Sequence, residues 1–475
     1  MGGIKAENWL QRIGIPLAIL LPVVIMALGK PAELSVAGHR ALALFAGIFV
    51  LYLTEAIPLA MASILVVPAS VLSGVANTRD ALSGFGSSTV YLMFGAFILA
   101  AAMVKSRLAE RITYLIMKVV GDSAKSIIFG VMAANVVLAF LVPSTVARTA
   151  ILLPVCLGII QVFGVEGRSK FAAGLLLILA YTNSTISAGI LTATTPNPVT
   201  IEFVAKAAGG HLISYSEWFI YGFPPALLMT LFTWWYVSAV AYKPEIESIP
   251  GGDAFVNSKL AELGPVSGDE KRAMVIFTFV VTLWVTGEWT KIDPTIACLA
   301  GVVLLFIPKL GFLTWTDANK GISWQVLMMT GGGLSLGDAL IRTGAAKWLA
   351  LTIFHGLGLS ELSLGVILVV IMFIIQYLHF VFVGTTPMAT GLIPIVISMA
   401  GVLNINPLIF ALPVGMVIGG YPLLMFYCTS SNILIYGTGK MTVGDFPRTG
   451  FVLCTAACFV YALCALTYWR WLGLY

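Results

Sequence analysis

Residues 141–160, LVPSTVARTAILLPVCLGII, set a proline and two hydroxyls into an apolar run, and residues 381–400, VFVGTTPMATGLIPIVISMA, repeat the arrangement. With Ser144 placed over Gly384, an offset of 240, Thr145 falls on Thr385, Leu152 on Leu392 and Pro154 on Pro394. The two stretches read as one element used twice.

The surrounding composition is that of a membrane protein. Hydrophobic residues make up 59% of the 475 residues and charged residues 10%, and the mean hydropathy is +0.99. These values lie far outside those of soluble domains. A hydrocarbon core about 30 Å thick takes roughly 20 apolar residues per helix. The chain therefore reads as an all-α polytopic membrane protein of about 11 spans, with no room for a large soluble domain. The apolar run from Ile13 to Gly29 ends in Lys30 rather than in a small-residue cleavage site, so it reads as a retained first span. Six cysteines, all inside apolar runs, suggest neither a disulfide framework nor a zinc site. The net charge of +5 is read as topology, not as a nucleic-acid footprint.

Further matches fall in order along the chain. Arg40-Ala-Leu-Ala-Leu-Phe corresponds to Arg272-Ala-Met-Val-Ile-Phe at an offset of 232. Asp80-Ala81 with Gly84 corresponds to Asp317-Ala318 with Gly321, and Lys105-Ser106 to Arg342-Thr343, all at an offset of 237. Weak matches in constant order indicate duplication. The expected organisation is an N-terminal span (1–38), a first repeat (39–241), a charged linker (242–271) and a second repeat (272–475). Each repeat holds five crossings and one re-entrant hairpin (124–161 and 360–400). Five is odd, so the repeats must be inverted. With the N-terminus in the cytoplasm, 17 of the 26 Lys and Arg residues, Lys5 among them, fall on inside ends, 8 fall outside and Arg148 lies in the membrane. The positive-inside rule favours that orientation.

Chemistry is expected where the helices break. At the first tip, Pro143-Ser144-Thr145 starts a new helix with Ser144 or Thr145 as its cap. At the second, Thr386 followed by Pro387 reads as a cap and a first helical residue. Helix N-termini offer free N–H groups to an anion, although such a turn can equally serve packing alone. Each hairpin is followed by a second interruption, Thr192-Ala-Thr-Thr-Pro-Asn-Pro198 and Cys428-Thr-Ser-Ser-Asn432, aligned by Asn197 on Asn432 at an offset of 235. Broken helices at matching places in two inverted halves point to a transporter site. Arg148 has no carboxylate in these motifs, which leaves it to meet an anionic substrate, stand in for a coupling cation or pair with carbonyls. Gly333 and Gly337 read as helix packing, His379 as structural, and Gly437-Thr-Gly-Lys440 lacks the spacing of a phosphate loop. The terminal Tyr468, Trp469, Trp471 and Tyr475 read as an interfacial belt.

At the hairpins and breaks, over nearly the whole chain from Arg40 onward, the sequence resembles the divalent anion/sodium symporter family. That family carries Ser-Asn-Thr at each tip and Thr-Pro-Pro-Asn-like loops in the partner helices. Here the first tip reads Ser144-Thr145-Val146 and the second Gly384-Thr385-Thr386. The exchanger branch is similar in its Ser/Thr-rich second tip and in an arginine at the position of Arg148, but has a histidine where this chain has Met388. The resemblance implies a bacterial inner-membrane homodimer with scaffold and transport domains, moving by an elevator mechanism.

The expected function is therefore secondary transport of a small dianion of the C4-dicarboxylate, 2-oxoglutarate or citrate type, with exchange favoured over sodium symport. Sodium-coupled dicarboxylate or sulfate symport, and cation/proton antiport on a similar fold, are the alternatives. The expected substrate residues are Ser144, Thr145, Asn197, Thr385, Thr386 and Asn432. Arg148, Thr194, Gly384 and Thr429 are expected to serve charge compensation or a cation. No cofactor is expected, other than Na+ near Ser144 and Gly384 if sodium is coupled. The partners are the dianion, the bilayer and a second copy of the chain. No metal cluster or nucleophile–base pair suggests an enzyme.

Overall fold

The computed structural model describes residues 9–162, 168–207, 213–247 and 252–475. Lys5 and part of the expected linker, residues 248–251, lie outside the described residues. Every regular element among them is helical. Among the described residues eight helices are long and apolar enough to cross a membrane, and five shorter apolar helices accompany them. With an apolar solvent around it, a chain can satisfy its backbone N–H and C=O groups within helices.

A peripheral helix, α1 (Trp9–Ala27), packs on α2 (Val36–Thr54). After α2, the first half runs through α3 (Leu59–Leu72), α4 (Thr78–Leu82), α5 (Ser88–Ser106) and α6 (Leu108–Val120). The hairpin α7 (Ala124–Leu141) and α8 (Thr145–Val162) follows, then α9 (Lys170–Thr185), α10 (Pro196–Ala207) and α11 (Tyr215–Trp235). The linker contains a helix of its own, α12 (Gly252–Leu263). It is more than a spacer, because the Phe255 ring fills the notch left by Gly158 of α8 and meets Tyr114 of α6 edge-on.

The second half repeats the order. It comprises α13 (Gly268–Val285), the short α14 (Gly287–Thr290), α15 (Pro294–Phe306), α16 (Trp315–Gly321), α17 (Trp324–Arg342) and α18 (Ala345–Gly356). The second hairpin is α19 (Leu364–Leu378) and α20 (Thr385–Val402), followed by α21 (Leu408–Gly420), α22 (Ser430–Tyr436), α23 (Asp445–Leu466) and the terminal α24 (Tyr468–Trp471). Within α24 only part of the expected aromatic belt faces outward. Trp471 is exposed, whereas Trp469 is fully buried with its indole N–H on the Tyr221 carbonyl.

The halves are interlocked rather than side by side. Helix α3 packs on α17 and α15 on α5, while α4 lies against α17 and α16 against α5. Two ion pairs fasten this exchange. Lys105, at the end of α5, meets Asp317 of α16 at 2.6 Å, and Arg342, at the end of α17, meets Asp80 of α4 at 2.7 Å. The tail of each long helix thus lies beside the segment that leads into the other, so α5 and α17 run antiparallel. Equivalent helices pointing in opposite directions are what an inverted repeat requires. The matched glycines sit in the same seams. A Cβ on Gly84 would lie 2.2 Å from the Gly331 oxygen, and one on Gly321 would lie 2.6 Å from Ala101 Cβ.

The ends of α5 and α17 define two faces of the molecule, a Lys105 face and an Arg342 face. Helix α20 runs parallel to α17, with Gly333 against Thr390 and Gly337 against Pro394, so the second hairpin opens on the Arg342 face. The first hairpin packs on α9, α6 and α12 and opens on the Lys105 face.

Candidate functional site at the two broken helices

Helix α9 is buried from Phe171 to its end and dissolves into a 3-10 turn at Ile186–Gly189. An irregular stretch follows until α10 restarts at Pro196. The two prolines therefore do not end the preceding helix; they open the new one. Pro196 is its first residue and Pro198 its third, positions whose N–H groups have no partner in a helix anyway. In the second half, α21 ends at Gly420 and α22 starts at Ser430, capped by Thr429, whose hydroxyl accepts from the Asn432 amide at 3.1 Å.

Both asparagines brace their breaks in the same way. The Asn197 side-chain amide donates to the Ser187 carbonyl at 2.8 Å and to Ile190 at 2.9 Å. Asn432 donates to the Pro422 carbonyl at 3.0 Å. Ser187 and Pro422 are themselves 235 residues apart, the offset of the asparagines, so the repeat extends to individual hydrogen bonds. The two breaks also touch. Gly419 of α21 lies against Thr194 and the Asn197 side-chain oxygen, and Gly420 against Ala188.

At the first tip, α8 begins at Thr145, and the Ser144 hydroxyl accepts from the Ala147 amide at 3.3 Å, so Ser144 is the cap. At the second tip the expectation is corrected. Gly384, at φ +96°, precedes a helix that starts at Thr385, which places Pro387 third rather than first. Proline is tolerated throughout a first helical turn for the same reason as at its first position. Thr386 does not cap, and its carbonyl accepts from the Thr390 hydroxyl. Thr386 is buried, whereas Ser144, Thr145, Gly384 and Thr385 are half-buried.

Arg148 is the centre of the first tip. Among the described Lys, Arg, Asp and Glu residues, only Arg148 and Glu270 are buried. Glu270 is matched by Arg111 at 2.5 Å. Among the described residues Arg148 has no carboxylate partner. Its Nη2 donates to the Asn183 carbonyl at 3.1 Å and to the Ser187 hydroxyl, while Nε and Nη1 have no protein partner. The same Asn183 donates its side-chain amide to the Thr145 carbonyl and the Thr149 hydroxyl, each at 2.8 Å. Thr145, Arg148, Asn183, Ser187 and Asn197 thus form one network between hairpin and broken helix.

Around it, the side-chain oxygens of Asn183, Asn197, Asn432 and the hydroxyl of Ser431 are buried without a protein partner. A buried polar atom left unpaired costs about 1–3 kcal/mol. The three amide oxygens can only accept and so suit a cation or a hydrogen-bond donor, while the unpaired Arg148 nitrogens beside them suit an anion. Helix α22 packs on α8 and α10 on α20, so each hairpin lies against the restarted helix of the other half. Sequence reading missed Asn183, inside an apolar helix, Ser187, in the 3-10 turn after it, and Pro422, whose contribution is a carbonyl. Their only signal was the local density of Thr, Asn and Ser in 182–187.

A family profile described as the sodium:sulfate symporter transmembrane region matches residues 6–475. Among similar proteins is a sodium-dependent dicarboxylate transporter, SdcS, of Staphylococcus saprophyticus, 30% identical over 94% of this chain and 89% of its own. The SdcS of Staphylococcus aureus is 29% identical over 93% of this chain and 88% of its own. A membrane protein of Cupriavidus necator is 29% identical over 97% of this chain and 93% of its own. The fold is similar to that of the YdaH transporter of Alcanivorax borkumensis, with TM-score 0.57, 13% identity and coverage of 98% and 97% of the two chains. It is likewise similar to MtrF of Neisseria gonorrhoeae, with TM-score 0.59, 12% identity and coverage of 94% and 96%.

Proposed function

From the premise that this chain belongs to the sodium:sulfate symporter family, the divalent anion/sodium symporters, and so is an integral membrane secondary transporter, we propose that it exchanges small organic dianions. The substrates are of the C4-dicarboxylate, 2-oxoglutarate or citrate type, and the chain crosses the bilayer eleven times with its N-terminus in the cytoplasm.

The observation that carries the reading is Arg148, fully buried with two of its guanidinium nitrogens unpaired. An isolated ion away from water carries a penalty of several kcal/mol. A dianion between the hairpins offsets that penalty, whereas the empty carrier bears it in full. Return of the empty carrier is then slow, and return loaded with a second dianion is fast. That is exchange. Ser144, Thr145, Thr385, Thr386 and Asn432 bind the carboxylates through hydroxyls, the second Asn432 amide N–H and the free N–H groups of the helix starts. Asn197, both of whose amide hydrogens are engaged, shapes the site by holding its break. The helices packed around α3, α5, α15 and α17 form a scaffold, and the hairpins with their broken helices move against it as an elevator in each subunit of a homodimer.

Sodium symport is the second reading, favoured by the sodium dependence in the names of the two staphylococcal relatives. In that case Thr194, Gly384 and Thr429 supply cation oxygens near Ser144 and Gly384. Labelled succinate or 2-oxoglutarate uptake into proteoliposomes separates the two. Exchange requires internal dianion and is indifferent to external sodium. Sodium-dependent net uptake into empty vesicles would overturn it.

A further inference from the structure

The two faces of the molecule are not closed alike. On the Arg342 face, Lys206 at the end of α10 meets Asp338 of α17 at 2.7 Å and Glu202, one turn back on α10, at 3.5 Å. Glu202 in turn accepts from Thr89 at 3.1 Å and Ser88 at 3.3 Å, both at the start of α5. The two carboxylates are each about one-eighth exposed and the ammonium about one-third, so water screens this cluster only in part. Beside it, Gly337 admits the Phe203 ring of α10 and the Pro394 ring of α20.

Helix α10 continues a broken helix of the candidate site, while α5 and α17 belong to the surrounding helices. The cluster therefore spans the boundary between the two groups. The repeat supplies a comparison for the opposite face. The offsets that align the asparagines and the long helices place Met441 at the position of Lys206, Gly437 at that of Glu202 and Ala101 at that of Asp338. Thr89 and Ser88 correspond to Val326 and Gln325. An ion pair cannot form among those residues, and α22 ends at Tyr436, so the positions of Glu202 and Lys206 fall beyond its helix.

We infer that Lys206, Asp338 and Glu202 form a one-sided latch that holds the hairpin and broken-helix group against α5 and α17 on the Arg342 face. It biases the carrier toward the state closed on that face. An inverted repeat made of equal halves has no reason to prefer one end; a charge cluster present in one half alone supplies the preference. The inference deepens the alternating-access reading and rests on it for its consequence in transport, but the latch itself is a property of the packing. Ionic bonds of this kind favour a switch, because their loss on opening is compensated by hydration of the separated charges.

The test is amide hydrogen exchange on the full-length protein in lipid nanodiscs, comparing wild type with Lys206→Met, Asp338→Asn and the double variant. In each single variant, amides of 196–207 and 385–402 should exchange at least about threefold faster, the scale of a partly exposed ion pair. Those of 145–162 and 430–436 should be unchanged. The double variant should be no faster than the quicker single, since both remove the same bond. Unchanged exchange in 196–207 in both singles, or equal acceleration on both faces, would overturn the latch. If the localised acceleration appears and neither wild type nor variants move a dianion, the latch stands and the transport reading falls.

Discussion

Arg342 lies 2.7 Å from Asp80, and the same relation, 237 residues out of step, joins Lys105 to Asp317 at 2.6 Å. Each half of the chain lends a cation to the other and receives one in return. The pairs differ in their surroundings. Asp317 also accepts from the Thr314 hydroxyl and backbone and so closes a capping box at the start of α16, and Lys105 also donates to the Phe312 carbonyl.

That difference predicts unequal variants. Asp80→Asn removes the more exposed pair and weakens a single side-chain contact with the cap Asn77 at 3.0 Å, and should cost at most about 1 kcal/mol. Asp317→Asn removes the less exposed pair and weakens two contacts with the cap Thr314, so it should lower the thermal midpoint in detergent by more. Equal shifts would contradict the asymmetry.

The same pair carries a pH signature. The Lys105 ammonium, followed by the Thr314 hydroxyl, holds the Asp317 carboxyl below its ordinary 3.8, at about 2. A depressed carboxyl stabilises the fold above its ordinary value and loses that effect as the pH falls through about 2. The stability difference between wild type and Asp317→Asn should therefore be constant at neutral pH and narrow between pH 4 and 2, measured by thermal melts. A gap that widens in acid would reverse the sign and refute the assignment.

Arg148→Met separates a functional cation from a structural one. Removing an unneutralised buried charge should leave the thermal midpoint unchanged or raised. Dianion counterflow should fall at least about thirtyfold, the scale of a buried charge contact worth about 2 kcal/mol or more. A large loss of stability with normal counterflow would make the arginine a structural element.

The asparagines should be ranked by the carbonyls they hold. Asn432→Ala strands the Pro422 oxygen, whereas after Asn197→Ala the Ser187 and Ile190 oxygens still accept from the Ile190 and Ala193 amides, at 3.3 and 3.0 Å. At about 1–3 kcal/mol for a buried group left unpaired, Asn432→Ala should be the more destabilising in thermal melts. The reverse order would show that the breaks are not braced in this way.

Two glycines on the second-hairpin side test close packing. A Cβ on Gly337 would stand 2.4 Å from the Phe203 ring, whereas one on Gly401 meets nothing within 4 Å. Gly337→Ala should cost about 1–3 kcal/mol through overpacking. Gly401→Ala, in the last turn of α20, should be neutral or stabilise by up to about 1 kcal/mol through helix propensity.

The sequence by itself determined the membrane class, the duplication and the positions of the tips and breaks. Those features are carried by composition and by local chemistry that repeats at constant offset. Asp80 with Lys105 and Asp317 with Arg342 were legible as a matched set, as were Asn197 and Asn432. Only the tertiary structure decided that the matched charges pair across the halves, because a repeat offset says which residues are equivalent and not which are neighbours. It also assigned Arg148 to Asn183 and Ser187, at the end of an apolar helix and in the turn after it, and gave Asn432 a backbone oxygen of Pro422. Carbonyl acceptors belong to every residue and leave no trace in composition. The start of α20 at Thr385 rather than at Pro387 was likewise a tertiary matter. Any residue of a first helical turn can lack its N–H partner, so proline marks the turn without fixing its first position.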